Sequence, residues 1–224
     1  MSEYWSQFLE EVPWCPVAAN VRAVHVEPPN SWSPRSQEFR RLFPQLTRLL
    51  ASSTVTRIDA AGGQYVLHSW IVADGEVTSW LSPAPPEQVP AHVCAPHRVL
   101  LHSFGGIVER SNEREDTWLL NQNEVLTTGE AEHDGRFIEA YGWAFADVPG
   151  GIPIALDAYY SIAREANGNT TLCHRSSGEV LLFAPDHSFE HVVPLEGCPP
   201  YTLYRILGGA TFTEWVEAIA RQWL

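Results

Sequence analysis

The terminal run Gly208–Leu224, GGATFTEWVEAIARQWL, constrains the fold more than any other stretch of this chain. Thr211 and Glu214 stand three apart just ahead of an apolar repeat, the spacing of a capping box in which each side chain reaches the other residue's backbone N–H. Phe212, Trp215, Val216, Ile219 and Trp223 recur at helical spacing and make one apolar face. A helix with two tryptophans on one side needs a large apolar surface to cover it. The segments upstream supply one. TWLL, RFIEAYGWAF, IPIALD, TTLCH, EVLLF and YTLYRIL are short, rich in β-branched and aromatic residues, and separated by turn residues, as strands are. TTLCHRSSGEVLLF reads as a hairpin with Ser177-Gly178 at its turn, and Val180–Phe183 is apolar throughout, as in a strand covered on both faces. Strands followed by a one-sided helix predict that this helix packs on a sheet.

The first thirty-odd residues read as irregular, because Pro13, Pro16, Pro28, Pro29 and Pro34 interrupt any long element. Phe39, Leu42, Phe43, Leu46, Leu49 and Leu50 then fall at helical spacing, with Pro44 kinking or restarting the helix. QYVLHSWIV and EVTSWLS flank Asp74-Gly75, which suits a tight hairpin turn. The Pro-rich run 82–90, SPAPPEQVP, is the best linker, dividing the chain into an N-terminal extension, 1–89, and a body, 90–224. In the body Pro96 opens a short helix stopped by Gly105-Gly106, where a left-handed glycine can satisfy the last carbonyls and Ile107 can fold back on the final turn. These glycines follow a helix instead of preceding one, so they do not read as a phosphate cradle.

Composition narrows the chemistry. The 224 residues are 45% hydrophobic with nine Trp, the make-up of a folded chain. All fourteen basic residues are Arg, which excludes lysine Schiff-base and P-loop lysine chemistry. A formal charge of −13 argues against nucleic acid as a direct partner. Nine acids face seven Arg in residues 1–100, net −2, and eighteen face seven in 101–224, net −11, so the body carries the acidity. A field of that sign can steer a basic partner. The start, MSEYWSQFLEEVPW, carries acids where a signal peptide has a basic region, and the expected location is the cytoplasm.

One motif invites a metal. His187-Ser188-Phe189-Glu190-His191 fits H-x-x-E-H, a zinc-peptidase pattern. The pattern chelates only on a helix, where residues four apart are neighbours. Here it follows a strand-like run and a Pro185-Asp186 turn signal and enters VVPL, and in an extended chain the two histidines stand roughly 13 Å apart. A polar turn between strands is the expectation, with a small metal-dependent hydrolase on His187, Glu190 and His191 as an alternative. Cys94, His97 and His102 lack a second cysteine pair, no G-x-S-x-G elbow occurs, and Glu115-Asp116 lies in a charged loop where water keeps both acids ionised. The four cysteines, Cys15, Cys94, Cys173 and Cys198, are dispersed and read as small buried hydrophobes.

From about Pro96 to the end the order of features resembles the SUKH superfamily, which includes fungal cell-wall-assembly regulators and many bacterial immunity proteins. The features are the helix closed by Gly105 and Gly106 with Ile107 after them, IPIAL leading to a strand, the hairpin GNTTLCHRSSGEVLLF with Gly178 in its turn, and the final helix introduced by Phe212 and Trp215. The resemblance implies an α+β fold, a curved and mostly antiparallel sheet backed by helices, with no catalytic residues and no cofactor. Bacterial members are thought to neutralise toxins, often nucleases. With the acidic body, it points to a cytoplasmic immunity protein that binds a basic cognate toxin domain through acidic loops, at Glu109, Glu113, Glu115 and Asp116 and at Glu130, Glu132 and Asp134. A regulatory scaffold without a toxin partner is the other non-catalytic reading.

Overall fold

A computed structural model describes residues 2–28, 30–72, 75–112, 122–186 and 190–224. The fold is α+β, with two antiparallel sheets separated by helices. The first sheet has the order β1 (Val21–Val26), β2 (Thr54–Ala60), β3 (Gly63–Ile71), β4 (Val77–Pro83), β5 (Glu109–Ser111). The second contains β6 (Gln122–Val125), β7 (Tyr159–Glu165), β8 (Thr170–His174), β9 (Val180–Phe183), β10 (Val192–Pro194) and β11 (Leu203–Ile206), in the order β10-β11-β9-β8-β7-β6.

Alternation along the strands builds the layers. Successive side chains of a strand point to opposite faces. In β9, Val180 and Leu182 join one apolar cluster while Leu181 and Phe183 join another, and in β8 Cys173 and Leu172 divide the same way. In the first sheet Trp80 joins the central cluster and Leu81 an outer one. The central cluster lies between the sheets and holds helices α2 (Gln37–Leu42), α3 (Pro44–Ser52), α4 (Ala95–Leu101) and α6 (Phe212–Gln222), through Phe39, Leu49, Leu100 and Trp215 among others. Outside the first sheet lies α1 (Glu3–Glu11), whose Trp5 and Phe8 pack with Ile58, Leu67 and Leu81. Outside the second lies the 3-10 segment Gly135–Phe145, whose Ile138 and Phe145 pack with Leu172, Leu181 and Phe183. Both sheets are thus covered on two sides, which is why Val180–Phe183 is apolar at every position.

The expected elements 37–52, the β3–β4 and β8–β9 hairpins, and the terminal helix all form. Pro44 restarts the helix at its first position, and Thr211 and Glu214 make both bonds of the capping box. Three expectations are corrected. The first thirty residues contain α1 and β1, and a proline-bounded segment is still long enough for nine helical residues before Pro13. RFIEAYGWAF is the 3-10 segment and not a strand, and IPIALD is irregular with a single 3-10 turn at Leu156–Ala158. Asp74 and the TWLL segment lie outside the described residues.

The Pro-rich run 82–90 joins halves that share a core. β5 returns from the body to pair with β4, Ser79 opposite Ser111, and α3 from the first half packs on α6 from the second. Gly105 and Gly106 sit where the sheets approach each other. A Cβ on Gly105 would stand 2.2 Å from the Pro83 carbonyl oxygen, and one on Gly106, at φ +89°, would stand 2.6 Å from that of Val125. Their role is close backbone passage between two sheets, beyond stopping α4, and Ile107 bridges to Val125 while its side chain joins the cluster that holds Leu100, Leu101 and Phe104. Gly178 occupies the β8–β9 turn at φ +72°, and its carbonyl accepts from the Phe212 N–H, so turn and terminal helix are tied.

Candidate functional site

The loop predicted to be acidic and exposed is short and strongly self-paired. Thr127 caps α5 (Thr128–Ala131), its hydroxyl accepting from the Glu130 N–H at 3.0 Å. This turns the Glu130 side chain inward onto β7. There it accepts from the Ser161 hydroxyl and, at 3.2 Å, from Arg164. With 2% of its surface exposed, Glu130 cannot meet a partner, and its place among the binding residues is corrected: it is a buried acid holding the loop to the sheet. Burial, partly offset by Ser161 and Arg164, raises its pKa above the ordinary carboxyl value.

That shift carries a sign. A folded pKa above the unfolded one gives stability that is complete below the unfolded value near 4.5 and is lost as pH rises through the folded value. Wild type should therefore lose stability relative to Glu130→Gln as pH is raised from 4 to 8, read from urea midpoints. A difference that grows in favour of wild type would show that Arg164 and Ser161 outweigh burial.

Asp134 precedes the 3-10 segment and accepts from the Arg136 backbone N–H at 3.1 Å and from its Nε at 2.7 Å. The Arg136 guanidinium holds the Asp134 carboxyl below its usual range. Glu132 is exposed. Glu109, on β5, is half-buried and accepts from the Trp14 indole N–H at 3.2 Å, a residue far away in sequence. Glu113, Glu115 and Asp116 lie outside the described residues. The two predicted loops are thus on different sheets, Glu109 beside the first and Glu130–Asp134 against the second.

Around Glu132 and Asp134 the structure assembles a cleft of about 410 Å³, lined also by His133, Phe137, Tyr141, Arg164, Gly168 and Thr170. Its aromatic wall is fixed from below, since Phe137 and Tyr141 set their rings edge-on to Phe183 at 5.7 and 5.0 Å. Tyr141 stands at the kink of the 3-10 segment, at φ −103° and ψ 17°. Farther along the same segment and its continuation, Glu139, Asp147 and Asp157 are exposed, and Trp143 has 74% of its surface in water. Sequence reasoning missed this wall because RFIEAYGWAF was read as a strand from its apolar and aromatic content. The helical signal was present: Phe137, Tyr141 and Ala144 follow at i, i+4 and i+7.

Of the H-x-x-E-H motif only the last two residues are described, and neither is helical. Glu190 lies in a turn and His191 immediately precedes β10, while His187 lies outside the described residues. Among the described residues no group of three His, Cys, Asp or Glu could hold a metal ion. Cys94 and His97 are buried in the core, Cys94 Sγ 3.7 Å from Cys173 Sγ, whereas His102 is exposed. His97 bonds the Tyr160 hydroxyl and the Leu126 carbonyl, each at 3.0 Å, and burial lowers its pKa to about 4, so it is a satisfied neutral core residue. Cys15 is also buried and Cys198 half-buried. No described helix is long and apolar enough to cross a membrane.

No protein-family model matches the chain, and no curated protein or solved structure matches it.

Proposed function

We propose that this chain is a protein-binding module for a basic partner, an immunity protein of the SUKH type whose partner is a nuclease-like toxin domain. The observation that carries the reading is the outer layer of the second sheet, which carries the largely exposed Trp143, the exposed acids Glu139, Asp147 and Asp157, and the cleft at Glu132. An exposed aromatic and exposed acids carried by one layer are the two features that binding a basic protein rewards. Tryptophan supplies a large apolar contact at low entropy cost, and the acids speed encounter with a cationic surface. The net charge of −11 in residues 101–224 supports the same direction, and the order of Gly105-Gly106, Gly178 and Phe212-Trp215 supports the family resemblance. The acids engaged by arginine, Glu130 and Asp134, position the loop, and Glu132, Glu139, Asp147 and Asp157 make the charged rim.

Affinity capture from the native cell extract at low salt, repeated at high salt, tests the reading. A single basic partner whose retention falls as salt rises is expected. Against that purified partner, Trp143→Ala should weaken binding by at least about tenfold, the range of an interface hot spot. Reversing Glu139 and Asp157 should slow association. Partners that are as often acidic as basic, or an affinity untouched by these substitutions, would favour a scaffold role.

A further inference from the structure

A second pocket opens on the other side of the molecule. It lies at the end of the inner face of the first sheet, about 170 Å³ in volume. Its floor is a row across three strands, since Arg57 pairs with Val66 and Val66 with Ser82, and His68 lies two residues along from Val66 on the same face. Its walls come from the loop carrying Trp32 and Arg35 and from the stretch Ser103–Gly105 after α4.

The polar groups here are oriented but incompletely used. The Ser53 hydroxyl donates to the Leu50 carbonyl at 2.7 Å, so its oxygen must accept from His68 Nδ1 at 2.9 Å. That bond places the imidazole proton on Nδ1 and leaves Nε2 as an acceptor, with no hydrogen-bond partner among the described residues. The ring has Trp32, Trp70 and Phe104 around it, and burial lowers its pKa to about 3, so it stays neutral. Ser82, 2% exposed, has a hydroxyl oxygen with no partner among the described residues. Buried polar groups are nearly always satisfied, and leaving one unmade costs free energy, so the Ser82 hydroxyl points to a missing ligand, and the Nε2 acceptor of His68 lines the same pocket. The Ser103 hydroxyl accepts from the Arg35 backbone N–H at 2.9 Å and keeps its own hydrogen to give. Arg57 is paired with Glu27, whereas the exposed Arg35 guanidinium has no carboxylate on it among the described residues.

We infer that this pocket binds a small carboxylate that also carries a hydroxyl or amino group, with the carboxylate at Arg35 and the Ser103 hydroxyl and the donor hydrogen shared between His68 Nε2 and Ser82 Oγ. A neutral histidine acceptor rejects a plain anion, because the ligand must bring a hydrogen. An arginine at the mouth rejects a plain amine or alcohol. The site is independent of the proposed protein interface, which lies on the opposite sheet.

Glycolate, glycine, acetate and ethanolamine are sufficient probes. The ¹⁵N-labelled chain is titrated with each, following the His68 ring nitrogens. Glycolate or glycine should move the Nε2 resonance saturably, and acetate and ethanolamine should bind at least about tenfold more weakly, the loss of one good hydrogen bond or charge contact. Arg35→Gln, at an exposed position, should weaken the preferred probe by about tenfold. Ser82→Ala should weaken it as well while leaving the urea midpoint of the free protein unchanged or higher, because it removes an unpartnered hydroxyl. No saturable shift up to about 100 mM, where a millimolar site is filled, would overturn the inference and leave a water-filled notch. Equal affinity for acetate and glycolate would overturn it too, by showing charge alone at work.

Discussion

Gly105→Ala is expected to destabilise the protein by about 3 kcal/mol or more, the upper range of overpacking, and to lower the urea midpoint accordingly. The new methyl carbon would meet backbone on every side, the Pro83 carbonyl oxygen at 2.2 Å, its carbon at 2.9 Å and the Ala84 oxygen at 3.0 Å. None of these is a flexible side-chain end. Pro83 closes β4 opposite Tyr65, and the Ala84 N–H is bonded to Gln64, so relief requires moving the edge of the first sheet. Gly142→Ala, at a position with open space around it, serves as the control and should cost far less. A Gly105→Ala variant within about 1 kcal/mol of wild type would show that the junction between the sheets yields, and that close passage is not what the glycine provides.

Glu217→Ala should cost about 2–4 kcal/mol, because one carboxylate from α6 caps a different helix. α3 begins with Pro44 at its first position and with Phe43 where a capping serine or aspartate would stand, so its first free N–H groups have no local acceptor. Glu217 supplies both, Oε2 accepting from the Gln45 N–H at 2.9 Å and Oε1 from the Leu46 N–H at 3.1 Å. Alanine strands those two donors at the α3–α6 contact and opens a gap in it. Glu217→Gln keeps one acceptor oxygen and removes a charge whose pKa burial already raises, so it should cost clearly less than alanine. If both variants melt in urea at the wild-type midpoint, the cross-helix cap contributes nothing measurable.

The two substitutions probe different kinds of information. Glu217 was visible only as an acid on the terminal helix, since nothing in its neighbourhood says that a chain segment far earlier lacks a cap. Gly105 was visible as a glycine after a helix, and the local rule assigned it a local task. Its neighbours Pro83 and Ala84 lie at the end of a strand some twenty residues earlier, and local spacing carries no trace of them. The acidic loops show the same limit. Glu130 and Glu132 look alike in sequence, but Thr127 turns one onto Ser161 and leaves the other in water.

Short-range physics was legible where a cap, a proline or a turn glycine marks the element, and not at α1 or the 3-10 segment. The capping box at Thr211, the restart at Pro44 and the turn at Gly178 each depend on residues within a few positions, and each formed as the spacing requires. That the terminal helix packs on a sheet followed from the same signals, because short apolar strands and a one-sided helix have few ways to cover each other. Tertiary structure alone decided that there are two sheets with the helices α2, α3, α4 and α6 between them. It alone brought Arg57, Val66 and Ser82 into one row and joined Trp32 to His68. Those outcomes depend on strand register and on which faces meet. They are set by the packing of the whole core, to which every residue contributes a little and no short stretch contributes enough to be read on its own.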